Sequence, residues 1–313
     1  MHILAKAEKN MPDRIMHLAA FLILPPLLFG IINKTKALFA GRKGAPLLQP
    51  YHDLARLLRK GTVISTATSW IFLAGPVVTL MAVMAAGLLI PLGPSPALVS
   101  FTGDFILFAY LFGLARFFTT AAAMDTGSAF EGMGSARELT FAALTEPGLF
   151  FAFLVFIRFS GSLSLTHMLV PIGYSSITQG NLAPLIMVIL GLAIILLAEN
   201  SRIPVDDPNT HLELTMIHEV MVLDHSGPLF GVIQYASSVK LFILGSILCN
   251  IMVPPLAGIR WVDFGLFCLS LFVLAIAIGI VESVIARLRM SRVPVLLIAS
   301  VLLCGSALIL FVR

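Results

Sequence analysis

The stretch NLAPLIMVILGLAIILLAENSRIPVDDPNTHLELTMIHEVMVLDHSGP, residues 181–228, changes character part-way along. Residues 181–198 are an apolar run of membrane-crossing length, because about 20 apolar residues span the hydrocarbon core of a bilayer as a helix. Residues 198–228 then gather six carboxylates (Glu199, Asp206, Asp207, Glu213, Glu219, Asp224) and three histidines (His211, His218, His225), from 16 acids and 7 histidines in the whole chain. A spanning helix that runs straight into so many titratable groups needs a reason for them at the membrane border.

Outward from that stretch the chain has the same apolar character. It is 58% apolar and 12% charged over 313 residues, against roughly 25% charged residues in soluble domains, and its mean hydropathy is +1.00. The composition indicates an all-α polytopic membrane protein. Eight runs are predicted to span, at about 15–33, 70–92, 104–124, 137–160, 181–198, 228–254, 263–285 and 294–311. They make a single membrane domain over 1–313, with no internal repeat of the kind that marks inverted-repeat transporters. The first sixteen residues are polar and of mixed charge. The run after them holds Pro25-Pro26 and lacks a small-residue cleavage site, so it reads as a retained span. Cys249, Cys268 and Cys304 are far apart in apolar runs. They read as packing thiols rather than as ligands of a cluster or a zinc ion.

Lysine and arginine predict the orientation. Loop 34–60 holds Lys34, Lys36, Arg42, Lys43, Arg56, Arg59 and Lys60; with it inside, Arg137, Arg202, Arg287, Arg289 and Arg292 bring that side to 12. The opposite side has six: Lys6, Lys9, Arg14, Arg158, Arg260 and Arg313. Both termini are then expected outside the cell (inner) membrane, with residues 199–226 on its inner face. The net charge of +4 acts through this distribution, and no nucleic-acid partner is expected. Within loop 41–60, Leu47, Leu48, Tyr51, Leu54, Ala55 and Leu58 recur at helical spacing. That pattern predicts an amphipathic helix lying on the membrane surface or against a partner. Its cations, with Arg42 and Lys43, suit either a docked subunit or anionic lipid.

Asp207-Pro208 is a helix-start signal and Gly227-Pro228 a stop signal, so a charged loop helix is predicted between them. Residues 100° apart around its axis place His211, His218 and His225 on one stripe, Glu213 and Asp224 opposite, and Glu219 between. His218-Glu219 opens like a metalloprotease HExxH motif, but Val222 holds the second ligand position. Histidines seven apart are about 10.5 Å apart along the axis, too far to share one zinc ion. No metal site is expected. Singly, each histidine reads as a helix-surface hydrogen bonder. Together, the nine groups point to a proton pathway or a charged docking surface.

Ionisable residues recur inside the spans: Arg116, Glu138, Glu146, Lys240 and Glu282. A charge at a helix centre costs about 2.5–3.5 kcal/mol on insertion scales, so each needs a partner or a wet cavity. Ser135-x-x-Glu138 has the form of a capping box, an alternative to a relay role for Glu138. Glu146 precedes Pro147-Gly148, where a freed carbonyl favours a wet kink. Glu282 has Arg287 and Arg289 as nearby candidate partners. Lys240 and Arg116 are candidate counter-ions for the acids. The sequence contains no phosphate loop, nucleophile elbow or cofactor fingerprint. The expected role is therefore ion movement or partner coupling, with no catalytic residue and no cofactor in this chain.

Several segments resemble one family. AENSRIPVDDP is similar to the AExNRxPFDxP segment of respiratory complex I subunit 1. RKGAPLLQPYHDLARLLRK resembles its first inner loop in the shorter form of the hydrogenase relatives. ARFFTTAAAMDTGSAFEGMGSARELTFAALTEP and VESVIARLRMSRVP are closer to the membrane anchor of complex I-related [NiFe]-hydrogenases, which include formate hydrogenlyase and hydrogenase-4. The resemblance runs over most of the chain. It implies a heel subunit that seats a soluble arm: hydrogenase large and small subunits carrying the nickel–iron centre, and iron–sulfur subunits carrying the clusters. It also implies antiporter-like membrane neighbours, surrounding lipid, and coupling of electron transfer to proton or sodium movement.

By motif match, Glu199, Arg202, Asp206 and Glu213 take the family's charged positions, and Glu146 matches the acid of the fourth-span motif. Asp207, Glu219, Asp224, Glu282, Lys240, Glu138 and Arg116 complete the expected ion-coupling set, and Arg42, Lys43, Arg56, Arg59 and Lys60 the docking set. The departures are specific. Val205 replaces the phenylalanine of PFD, Asn209 and His211 stand where quinone-type members have acids, His225 stands for a tyrosine, and Glu131 for a small residue. The changes at Val205, Asn209, His211 and His225 weigh against a quinone chamber; Glu131 has no explanation in the sequence. A quinone-binding oxidoreductase subunit and a purely structural dock are the alternatives to an ion-coupling anchor.

Overall fold

The computed structural model describes residues 11–169, 182–206, 216–253 and 258–312. It is all-α among these residues, with eight helices long and apolar enough to cross a membrane. They are α1 (Met11–Phe39), α3 (Trp70–Leu88), α4 (Asp104–Asp125), α5 (Ala129–Ser160), α7 (Leu182–Glu199), α8 (Gly227–Met252), α9 (Arg260–Val284) and α10 (Val293–Val312). The amphipathic α2 (Gln49–Leu58) follows α1, and the short α6 (Leu165–Met168) follows α5. Each predicted span corresponds to one of the eight. The fourth starts eight residues earlier than the apolar pattern suggests, because 129–136 is rich in small residues that pack closely rather than contribute hydropathy. At Gly134 an added Cβ would meet the side chains of Val220 and Met221 and the carbonyl of Ile217.

Most of α8 is buried, including Leu241, Phe242, Ile243, Ile247 and Leu248. Helices α1, α3, α7 and α9 pack around it, while α4 packs on α3 and α10 on α5 and α7. Helix α1 stays continuous through Pro25 and Pro26. Proline at 26 removes the N–H that would bond the Leu22 carbonyl. The Tyr235 hydroxyl of α8 donates to that carbonyl at 3.0 Å, and the Tyr51 hydroxyl of α2 donates to Ile23 one residue on. Tyr235 thus satisfies the carbonyl that Pro26 frees, and the two tyrosines fasten α1 to α8 and α2.

Contacts between loops define the two ends of the bundle. At one end Arg260 pairs with Asp13 at 2.6 Å, Asn250 donates to the Pro91 carbonyl at 2.7 Å, and the Leu165 N–H donates to Asp104 at 2.6 Å. At the other, Val63 N–H donates to Ser226 at 3.0 Å and Leu288 N–H to the Pro204 carbonyl at 3.0 Å. This second end, with α2 and the 199–226 connection, carries the site.

The loop helix expected across 208–226 is not what forms in its described part. Residues 216–226 make a bend, a single 3-10 turn at Glu219–Val222 and an extended entry to α8. Its physical cause is Asp206, whose carboxylate accepts from Ile217 N–H at 3.1 Å and His218 N–H at 3.2 Å. Asp206 holds those amides outside any helical ladder, so His218 and His225 do not share a helix stripe. Residues 207–215, with Asp207, His211 and Glu213, lie outside the described residues. Ser135 is no capping residue either. It lies inside α5 and its hydroxyl donates to Glu131 one turn back at 3.0 Å.

Candidate functional site: a shared carboxylate inside the membrane

Helix α7 ends on Glu199, where the partial negative charge of the helix C-terminus disfavours a carboxylate. Two cations from other helices offset this. Arg116 of α4 donates to Glu199 Oε1 at 2.7 Å, and Lys240 of α8 lies 2.8 Å from Oε2. The Thr145 hydroxyl of α5 also donates to Oε1 at 2.9 Å. Arg116 in turn bonds Glu146 and lies 3.7 Å from Glu138. Seven residues of α-helix bring Thr145 within about 20° of Glu138 around α5, while Glu146 stands about 80° away. This places Glu138 and Thr145 toward the bundle interior and Glu146 at its edge. Glu199 is nearly buried and the Glu146 side chain is 49% exposed.

Beyond Glu199 the chain reverses at Ser201, which takes the left-handed conformation at φ 51°, and Arg202 N–H closes the helix end on Leu197 O at 2.8 Å. That turn sends Arg202 away from Glu199 into a second cluster. Its guanidinium lies over the Phe29 ring at 4.5 Å and donates to Glu282 at 3.3 Å. Lys36 lies 2.8 Å from the other Glu282 oxygen. Burial pulls the Arg202 pKa below the ordinary arginine value, with Glu282 and Glu219 opposing that shift. A third pair joins Arg287 to the buried Asp206 at 2.9 Å.

Of the expected residues, Arg116, Glu138, Glu146, Glu199 and Lys240 therefore form one cluster. Arg202 and Glu282 form a second with Glu219 nearby, and Asp206 stands beside them. Glu282 does not pair with Arg287 or Arg289: α9 turns it inward to Lys36 and Arg202, and Arg287 reaches Asp206. Asp224 is exposed and, among the described residues, forms no ion pair with the Arg116 or Arg202 clusters; its N–H donates to Glu131 at 3.1 Å, so Glu131 ties the 3-10 turn to the start of α5. Arg42, Lys43, Arg56, Arg59 and Lys60 are all exposed around α2. Sequence reasoning missed Thr145 and the pairing role of Lys36. Lys36 reads as a loop cation, although α1 runs on through it to Phe39.

Cavities connect the clusters. One between α3, α4 and α8 is lined by Arg116, Glu138, Glu199, Lys240, His218 and His225. A second, between α1, α2 and the 200–222 connection, encloses about 1280 Å³ with its open mouth and is lined by Phe29, Asp53, Arg202 and Glu219. Asn200, Ser201 and His218 belong to both walls. A third opens at Glu146 and shares Arg116 and Glu199 with the first. The His225 ring stacks on Phe72 at 4.1 Å, and burial lowers its pKa. The arrangement sets carboxylates, cations and the imidazoles of His218 and His225 around adjoining cavities. Among the described residues no group of three or more His, Cys, Asp or Glu side chains converges to hold a metal ion.

The profile of the NADH dehydrogenase family matches residues 14–313. The chain belongs to that family. Among curated members, formate hydrogenlyase subunit 4 of Escherichia coli K12 is 28% identical over 285 residues, covering 86% of this chain and 88% of that protein. Hydrogenase-4 component C of the same organism is 29% identical over 74% of this chain and 72% of its own length. An NADH-quinone oxidoreductase subunit, from Polaromonas naphthalenivorans, is 28% identical over 66% of this chain and 58% of its own length. The fold is shared with a chain of the membrane-bound sulfane sulfur reductase, an archaeal respiratory membrane complex, at a TM-score of 0.81 over 96% of this chain and 98% of that one, with 20% identity.

Proposed function

We propose that this chain is the membrane anchor and ion-coupling subunit of a complex I-related [NiFe]-hydrogenase. In this reading it sits in the cell (inner) membrane with both termini outside. It seats a soluble arm of hydrogenase and iron–sulfur subunits on its inner end and adjoins antiporter-like subunits in the membrane. The soluble arm supplies the redox centres; this chain moves or transmits charge. The reading draws support from the hydrogenase relatives and, above all, from one observation: Glu199 is gripped by Arg116 and Lys240 from two other helices, and Arg116 also holds Glu138 and Glu146. Moving a proton or a charge near His218 alters the field at Glu199, and the shared guanidinium passes that change to Glu146. In proteoliposomes holding the whole complex, Glu199→Gln is expected to keep redox turnover while the ion gradient falls at least about tenfold, the scale of losing one positioned proton carrier. A full gradient from a normally assembled Glu199→Gln complex refutes the coupling role.

A quinone-binding oxidoreductase subunit is the second reading. The cavity between α1, α2 and Arg202, with its apolar wall of Pro26, Phe29 and Leu54, favours it. Quinone retained by the purified complex in stoichiometric amount supports this reading over the first.

A further inference from the structure

The cavity between α3, α4 and α8 has an imidazole in its wall that is held only by its ring face. His225 lines that cavity with Ala122 of α4, Val222 and His218. It is 7% exposed, and neither ring nitrogen has a hydrogen bond among the described residues. The ring stacks on Phe72 of α3 at 4.1 Å. The Phe72 backbone lies close enough to favour the charged imidazole, but outside hydrogen-bond geometry. Asp125 at the end of α4 fixes Phe72 in turn, accepting from the amides of Ser69 at 2.6 Å and Phe72 at 3.3 Å. A neutral imidazole has one donor and one acceptor nitrogen. Buried polar side chains ordinarily spend such groups on partners, and His225 keeps both.

One peptide unit away a second buried group has a free end. Glu131, in the first turn of α5, is 1% exposed. Its Oε1 accepts from the Asp224 N–H at 3.1 Å, and its Oε2 has no hydrogen bond among the described residues. Thr126 stands beside the carboxyl, but its hydroxyl donates to the Ala123 carbonyl at 2.8 Å. Among the described residues no lysine or arginine pairs with Glu131. Ser128-x-x-Glu131 has the form of a capping box, in which the acid reaches back to the Ser128 N–H. That N–H goes instead to Thr126 at 3.2 Å, and the carboxylate turns to the segment before α8. A clip for one amide does not explain an acid here, because a glutamine would accept the same bond without burying a carboxylate that is half unsatisfied. Leu223 and Asp224 are exposed. Glu131 therefore lies just beneath the inner surface, with His225 between it and the cavity.

We infer that Glu131 and His225 form a proton inlet from the inner surface into the cavity that holds Glu138 and Glu199. The inference rests on the proposed ion-coupling role of this chain and names where the proton enters. Glu131 Oε2 takes a proton from water at the Asp224 surface and passes it to one nitrogen of His225. The imidazolium releases the proton on its other nitrogen into the cavity, toward Glu138 and Glu199. Glu131 is then a carboxylate again and His225 neutral again, so the two groups are reset and one proton has moved inward. Both residues stand where this chain departs from the family pattern, so the inlet is a feature of this chain.

The test keeps the packing contacts and removes the proton chemistry. Glu131→Gln still accepts from the Asp224 N–H, and His225→Phe still stacks on Phe72. In proteoliposomes holding the whole complex, each variant is expected to slow formation of the proton gradient at least about tenfold, with the unfolding temperature at pH 7 unchanged. The double variant is expected to be no slower than the slower single one, because serial steps share one path. A full rate in a normally assembled complex of either variant overturns the inlet, as does a double variant whose loss is the product of the two. Should neither variant assemble, dicyclohexylcarbodiimide on the unaltered complex decides, since it modifies carboxyls that hold a proton in apolar surroundings. Label mapped to Glu131 by mass spectrometry, with the gradient slowed in step, supports the inlet, and an unlabelled Glu131 overturns it. Slow inlet variants beside a full gradient in Glu199→Gln leave the inlet standing and remove the coupling role of Glu199. The reverse pattern removes the inlet and leaves that role.

Discussion

Arg116 concentrates the energetics of the site in one side chain. Its side chain is 8% exposed and serves three carboxylates. Removing one partner of a buried ion pair costs about 3–5 kcal/mol, because a desolvated charge is left uncompensated. Arg116→Met is expected to destabilise by that amount, read as thermal unfolding of the detergent-solubilised complex. Glu146→Gln, at the half-exposed rim, is expected to cost about 1 kcal/mol or less. His225 makes a second residue-level case. Burial lowers its pKa, so between the unfolded and the folded value the unfolded chain binds a proton that the folded one refuses. Its contribution to stability is complete above the ordinary histidine range and is lost as pH falls through that range toward the folded value. The unfolding temperature is therefore expected to drop between pH 7 and pH 5, and His225→Phe, which keeps a ring against Phe72, is expected to flatten that drop. An unchanged acid slope in the variant assigns the pH response to other groups.

At the scale of elements, apolar runs made the eight spans legible, because bilayer thickness fixes the length a helix must have. The amphipathic α2 was legible from its spacing, although Leu47 and Leu48 remain exposed while Leu57, off the predicted stripe, packs at Gly231 of α8 together with the tip of Leu58. The partners of the charges were not legible. Arg116 and Glu199 are 83 residues apart and Arg202 and Glu282 are 80 apart, and no local spacing rule reaches that far. Glu282 shows the error this produces: neighbours in sequence look like partners until helix rotation carries them elsewhere. The described part of the 207–226 loop, residues 216–226, misled for a related reason. Its start and stop signals were present, but Asp206 takes the amides of Ile217 and His218. The resulting bend depends on close approach at Gly134, whose absent Cβ leaves room for Val220, Met221 and the Ile217 carbonyl. Gly134→Val is expected to overpack this contact at a cost of about 1–3 kcal/mol. Faster proteolytic nicking at 216–222, with the spans still protected, is the expected signature; unchanged nicking shows that the turn holds without α5.

At the scale of the whole molecule, the loop contacts collect the cations predicted to be inside at one end of the bundle. The α2 cations lie there, as do Arg137, Arg202, Arg287, Arg289 and Arg292, whereas the described cations of the other end are Arg14, Arg158 and Arg260. An excess of Lys and Arg in short loops is held on the inner side during insertion. The end carrying α2 should then face the cytoplasm, where a soluble arm docks, and Glu146 should lie within the membrane between the two faces. Single cysteines at Gly61, in the connection after α2, and at Gly161, the left-handed C-cap of α5, both with open space at an added Cβ, test this in a background lacking Cys249, Cys268 and Cys304. In intact cells a membrane-impermeant maleimide is expected to label Gly161→Cys and to spare Gly61→Cys, with the pattern reversed in inverted vesicles that have been stripped of peripheral subunits. Labelling of Gly61→Cys in intact cells would turn the protein over. The soluble arm would then have to dock on the face bearing Arg14, Arg158 and Arg260, away from the basic amphipathic α2, and the proposed direction of coupling would fail with the orientation.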